Sequence, residues 1–419
     1  MKRKKLFLLI AIVAVLPFMS CEAVQSRQSK IDPIKNTYAY NLEKNNLYVA
    51  YIIDGAEFLF WFKKCMANEL FTFYKVGYRT VERLLPSVEG INSDSNIIFF
   101  NITSSDNIGP FKMSNGGWTG GNHTYNGSIK TAKTENYSVF VDGKTLNEGA
   151  FGIGNNVCIH VTNIIYDPAI ASVSSGGILS TVLCTESIVY TIVKNNIEVV
   201  VSHRFSSSTT NTIETYYGMQ SMFVSENYLI TPNGKYNDWI SAVNLKGSFT
   251  KRQYPSFNRF IEKNSTFNTF QSTYIQPRYE LGKHEEILDD EPIFIRNNEK
   301  GYHFIIGSNT LLPLADKVIK WKGTYTFFNT AIIDNSGVFA YRGTIDGLDA
   351  LFINTKKNFN GSIPIPYDLE SQTIKVKECI GITNEKGTQN FIVEGRLLSI
   401  NSKSSGSLIL IFSDSSSEK

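Results

Sequence analysis

Residues 156–162 alternate strictly: Val157, Ile159 and Val161 fall on one side, and Cys158, His160 and Thr162 on the other. A period of two places each set on one face of an extended strand, and a helix cannot use that pattern. The same signature recurs along most of the chain. Runs at 187–193 and 197–205 are joined by Lys194-Asn195-Asn196, a polar link that reads as a hairpin turn. Further β-branched and aromatic runs stand at 69–74, 96–102, 137–141, 302–306, 324–328, 337–342, 373–382, 391–400 and 407–412. Turn pairs such as Asp142-Gly143 and Asn233-Gly234 separate them. Residues 56–70 can be drawn as an amphipathic helix. Phe58, Phe60 and Phe62 alternate, however, and the turn pair Asp54-Gly55 precedes them, which favours a hairpin. No repeat of 20–50 residues is visible, which argues against propellers and solenoids.

Many short strands without intervening helices predict an all-β chain, a large antiparallel β-sandwich of the supersandwich or jelly-roll kind. With 42% hydrophobic and only 19% charged residues, a large core is within reach and a disordered chain is excluded. The expected division is 1–20 as a lipoprotein signal peptide, 21–36 as a tether, 37–335 as the sandwich and 336–419 as a C-terminal β part, either continuous with it or separate.

The export reading rests on Lys2, Arg3, Lys4 and Lys5, followed by an apolar run over 6–16 and then Phe18-Met19-Ser20-Cys21. The run is shorter than the roughly 20 residues a membrane-spanning helix needs. A small residue directly before Cys21 is the arrangement of a bacterial lipoprotein cleavage site, with Cys21 becoming the lipidated first residue of the mature chain. The 41 basic and 38 acidic residues leave a formal charge of +3, and removal of the four leader cations leaves 37 against 38. Such a balance gives no electrostatic footprint for nucleic acid. The expected location is the cell envelope, with a membrane contact through the lipid.

Cys65, Cys158, Cys184 and Cys379 are scattered and show no zinc-type spacing. Cys158 and Cys184 fall in strands that can be neighbours, so one disulfide or two buried thiols are both open. P-loop spacing, a G-x-S-x-G elbow and an H-E-x-x-H helix are missing from the sequence, so no cofactor or metal is called for. His284 stands among Glu285, Glu286, Asp289, Asp290 and Glu291, a charge run that reads as a solvated loop. His160 and His303 read as core histidines.

The densest unusual segment is 115–127, with five glycines in thirteen residues and Trp118, Asn122, His123 and Tyr125 among them. A glycine-rich loop weakens strands and helices alike and is a natural place to display binding groups; the alternative is a crossover whose Trp118 plugs the sandwich end. The second segment, 214–220, carries Glu214, Tyr216, Tyr217 and Gln220. Plain alternation places Glu214 and Tyr216 on one face, with Tyr217, Met219 and Phe223 on the other. One tyrosine then faces a groove, or both pack in the core. His203-Arg204 is a third candidate, of which only one can line the same pocket.

On these residues the chain resembles exported carbohydrate-active lipoproteins of the Bacteroidetes type, within the large β-sandwich group that includes polysaccharide lyases and galactose-mutarotase-like domains. The segments 119–123 and 216–220 are similar to ones found in bacterial and phage-encoded β proteins. The resemblance implies an exported, lipid-anchored protein that binds a polysaccharide and can cleave it by β-elimination. Such a lyase needs a base, an acid and groups that neutralise a carboxylate. His123 would be the base, Tyr217 or Tyr216 the acid, and Asn122, Arg204 and Gln220 the neutralising set, with Trp118, Tyr125 and Glu214 as further sugar contacts. A glycoside hydrolase would need two carboxylates, and Glu214 has no evident partner. The alternative reading is a non-catalytic structural or adhesion lipoprotein.

Overall fold

The computed structural model describes residues 37–414 except 103–107, 171, 223–226, 231–239, 242–245, 250–257, 265, 277–292, 297–299, 307–311, 336 and 383–390. The segments expected to be a signal peptide and a tether, with Cys21, Phe223 and the acidic run around His284, lie outside the described residues.

The chain is all-β, built of antiparallel sheets packed face to face. A ten-stranded sheet forms the centre, and its middle runs Val182–Val193, Asn196–Phe205, Val318–Phe328, Thr269–Ile275, Arg259–Asn264. Along Val318–Phe328 the pleat sends Trp321, Tyr325 and Phe327 to one side and Phe328 to the other.

Two sheets share the first side. The six-stranded sheet runs Phe151–Gly154, Tyr38–Glu43, Asn46–Ile53, Ala56–Cys65, Leu70–Thr80, Ile98–Ile102. Phe58, Phe60 and Phe62 do alternate into the core, each no more than 2% exposed. Phe62 meets Tyr190 at 5.5 Å between ring centroids, and Phe73 meets Tyr325 at 5.1 Å. The segment 56–70 is therefore a strand and a tight turn leading into the next strand, as its alternation requires. The seven-stranded sheet runs Lys246–Phe249, Ile293–Arg296, Lys300–Ile306, Thr212–Met222, Phe111–Met113, Gly117–Thr119, with Leu312–Pro313 also paired to Thr212–Met222.

On the second side lies a five-stranded sheet, Ile333–Asp334, Val338–Ile345, Leu348–Thr355, Gly406–Ser413, Thr373–Ile380. One of its faces packs Phe339, Tyr341 and Phe352 against Phe270, Tyr274 and Phe328. Its other face packs Leu351, Ile353 and Leu410 against Ile363, Leu398 and Ile400 of a three-stranded sheet, Phe359–Pro364, Leu397–Ser402, Phe391–Glu394. The molecule is a stack of four β layers rather than two. The run 391–400, read from sequence as one strand, is a hairpin, because Gly395 turns it with a left-handed φ of +57°. Cys184 is a free, buried thiol, so Cys158 and Cys184 are not joined.

Candidate functional site

The glycine-rich segment is a turn-and-strand crossover, and all five of its glycines, at 116, 117, 120, 121 and 127, have positive φ between 48° and 90°. That region is costly for residues with a Cβ, which explains the composition. Gly117–Thr119 pairs with Phe111–Met113, which pairs with Thr212–Met222. The segment is thereby carried to within one strand of 212–222, on the same sheet. Trp118 stands directly opposite Lys112 and points away from the core, while Thr119 points inward and is fully buried.

Three of the residues singled out from sequence come together here. The Trp118 ring stacks on the His123 ring at 4.9 Å and 16°, and meets Tyr217 at 4.9 Å and 33°. Tyr217 stacks in turn on Tyr302 at 4.4 Å and lies 5.2 Å from Phe304. Trp118, His123 and Tyr217 are partly exposed, whereas Tyr302 and Phe304 are buried. The result is a row of rings whose inner end is fixed in packing and whose outer end meets solvent. Burial, aided by the Lys300 ammonium, pushes the His123 imidazole down to about 4, so it is neutral at pH 7. Lys300 also sits 5.4 Å from the centre of the Tyr302 ring. Lys112 is paired with Glu214 at 2.6 Å beside the row.

The remaining candidates go elsewhere. Tyr216 is fully buried, its ring 4.6 Å from Phe111. Plain alternation fails in this strand because its pairing slips between Ile213 and Thr215 and again between Tyr217 and Gln220. Each bulge adds a residue and re-aims those after it. Ile213, Tyr216 and Met219 all enter the core, while Glu214 faces Lys112 outside. Tyr216 and Glu214 therefore do not share a face, and Tyr216 and Met219 do. Gln220 is turned inward, 1% exposed, with neither side-chain amide atom hydrogen-bonded. Asn122 accepts from the Ala67 amide at 2.7 Å and ties the crossover to the turn after Ala56–Cys65. Tyr125 belongs to a separate two-stranded hairpin, Thr124–Tyr125 with Ile129–Lys130. Arg204 is exposed on the ten-stranded sheet, away from the row.

His203, not Arg204, turns inward. Its Nε2 lies 2.7 Å from Glu186 Oε2, and its Nδ1 lies 2.8 Å from the Tyr216 hydroxyl. The Tyr216 oxygen accepts from the Trp321 indole N–H at 2.6 Å, and Glu186 Oε1 accepts from Asn163 at 2.7 Å. The arrangement satisfying every partner has Tyr216 donating to Nδ1 and Nε2–H facing the carboxylate. With Tyr216 and His203 at 0% exposure, this chain of groups cross-links the two main layers and is closed to substrate. Among the described residues, no group of three or more His, Cys, Asp or Glu is placed to hold a metal ion.

Sequence reasoning missed Lys112, Lys300, Tyr302 and Phe304. The spacing Tyr302-x-Phe304 signals two rings on one strand face, but which ring lies opposite depends on a pairing made across about 80 residues.

No protein family and no curated protein matches this chain. Among solved structures it is similar to the galactosidase domain of alpha-galactosidase-sucrose kinase, at 9% identity and a TM-score of 0.37, over 72% of this chain. The alignment spans 41% of that protein's chain, a likeness too distant to carry a fold or an activity across.

Proposed function

We propose that this chain is an exported, lipid-anchored protein of the cell envelope that binds a polysaccharide on the row formed by Trp118, His123 and Tyr217. The observation that carries the reading is the contact of Trp118 with both His123 and Tyr217, each at 4.9 Å. A partly exposed set of rings held on a rigid sheet offers an apolar platform to the flat face of a sugar, while the Tyr hydroxyl and imidazole nitrogens serve its hydroxyls. Lys300 adds a cation at the inner end, which suits a uronate carboxylate. Cys21 would carry the lipid.

Where the protein cleaves its ligand, the reaction is β-elimination. Neutral His123 would take the proton beside the uronate carboxyl, the bond to the leaving oxygen would break as a carbon–carbon double bond forms, and Tyr217 would return a proton to that oxygen. Binding to a panel of uronate oligosaccharides, with unsaturated product followed by absorbance, tests both levels. Trp118→Ala is expected to weaken binding tenfold or more, and His123→Ala to abolish product formation while leaving most of the binding. Silence across the panel, or full affinity in Trp118→Ala, removes the proposal; full turnover in His123→Ala removes its catalytic part. The packing of Tyr217 on buried Tyr302 and Phe304 favours, as a second reading, a structural or adhesion lipoprotein whose rings serve the core.

A further inference from the structure

The outer face of the six-stranded sheet, turned away from the main core, carries a second set of rings. Tyr48, Trp61 and Tyr74 stand on three successive strands, with centroids 5.3 Å and 4.9 Å apart. Residues 81–97, which connect Leu70–Thr80 to Ile98–Ile102, fold over part of this face, and Ile91 and Ile97 pack there with Tyr48 and Leu59.

A buried ionic anchor holds this connection in place. Glu57 is fully buried and accepts from Arg79 Nε at 2.7 Å, from the Ser87 amide at 2.7 Å and from Arg83. Arg79 reaches on to Asp94 at 2.9 Å and to the Ser87 carbonyl at 3.1 Å. Asn92 donates to the Tyr48 hydroxyl at 2.9 Å. Releasing either guanidinium would leave a buried carboxylate under-paired, which is strongly unfavourable. The connection is therefore a fixed wall.

Between that wall and the hairpin Tyr38–Glu43/Asn46–Ile53 runs a groove of about 430 Å³, within the roughly 300–1,000 Å³ of small-molecule sites. Tyr48 forms part of its floor, and Asn41, Glu43, Lys44, Glu89 and Asn92 stand around it. Two carboxylates against one ammonium give the rim a net negative charge and disfavour an anionic ligand. Tyr48 is only 8% exposed, so the groove is mainly polar, and its amides and carboxylates match a ligand with many hydroxyls. We infer that this groove is a second binding site, specific for a neutral saccharide unit and separate from the Trp118 row, which lies on the other outer sheet. A wall already ordered before binding lowers the cost of association.

Saturation-transfer NMR on the full chain with neutral hexasaccharides of gluco, xylo, manno and galacto configuration tests this. Ser93→Trp fills the groove mouth from an exposed position, Glu89→Ala removes a rim acceptor, and Trp118→Ala reports on the other site. At least one probe is expected to bind. Ser93→Trp should weaken it tenfold or more and Glu89→Ala threefold or more, with unchanged melting temperatures, while Trp118→Ala leaves it intact and a uronate hexasaccharide fails to compete. Absence of binding by every neutral probe overturns the inference, as does binding that survives Ser93→Trp. Loss in Trp118→Ala alone assigns the signal to the aromatic row and likewise overturns it.

Discussion

Burial sets the protonation of individual side chains here in opposite directions. His123 and His303 are pushed down, to about 4 and about 3, because the charged imidazole is the form that loses water. Unfolded histidines take up protons first, so their contribution to stability is lost as pH falls below about 6.5. Glu262 goes the other way. It is 2% exposed, accepts a hydrogen bond from the Ser221 hydroxyl, and is raised by burial to about 8. The unfolded carboxyl ionises near 4.5 while the folded one keeps its proton to about 8. Stability therefore falls with rising pH across that window, by about 1.4 kcal/mol per unit for a single group. Glu262→Gln, a neutral isostere, is expected to flatten this slope, so that its advantage in denaturant midpoint over the parent grows from pH 5 to pH 8. Parallel pH profiles for the two proteins would sink the assignment.

At the scale of single strands, close backbone approach aims the site. A Cβ on Gly109 would fall 1.2 Å from the Tyr217 carbonyl oxygen, and the Tyr217 amide donates to the Pro110 carbonyl at 3.2 Å. Gly109→Ala must push Thr212–Met222 aside, and a loss of about 1–3 kcal/mol is expected, as for other overpacked sites. Urea unfolding checks it, and stability equal to that of the parent would show that the approach is looser than described. The same strand shows where sequence stops being legible. Alternation found most strands, including the helix-like 56–65, because Phe58, Phe60 and Phe62 declare their face locally. It misassigned Tyr216 and Met219, because the bulges that re-aim them are set by strands at 111–113 and 300–306. It brought Trp118 and His123 forward through their glycines, which report backbone conformation at each position. It was silent on Lys300 and Tyr302, whose relation to Tyr217 exists only in the pairing of distant strands.

Across the whole molecule, the five-stranded sheet is covered on both faces. Phe328, Tyr341 and Phe352 form a continuous stack, 4.8 Å and 4.9 Å between successive centroids, that crosses from the ten-stranded sheet into it. Arg259, fully buried, donates from Nη2 to Asn354 and to Ser407 at 2.8 Å across the same junction. Separating the residues after 332 would expose this cluster and strand that cation. We therefore propose that 37–335 and 336–419 melt as one unit. Scanning calorimetry is expected to give a single transition, lowered as a whole by Tyr341→Ala, with a cost of about 3–5 kcal/mol as for other buried aromatics. Two resolved transitions, only one of which moves, would separate the parts.

The order of strands in the central sheet bears on how such a chain is born. Val318–Phe328 lies between Asn196–Phe205 and Thr269–Ile275, so each of these, though already able to pair on its other side, lacks this shared neighbour until residue 328 of 419 has been made. Until then two long β-branched edges stand open, a state that invites mispairing with other nascent chains. A chain made from its first residue onward must keep those edges apart while it waits. Correct pairing at the centre of the finished stack therefore waits on one strand that is made late, and pairings between segments so far apart in sequence are slow to form.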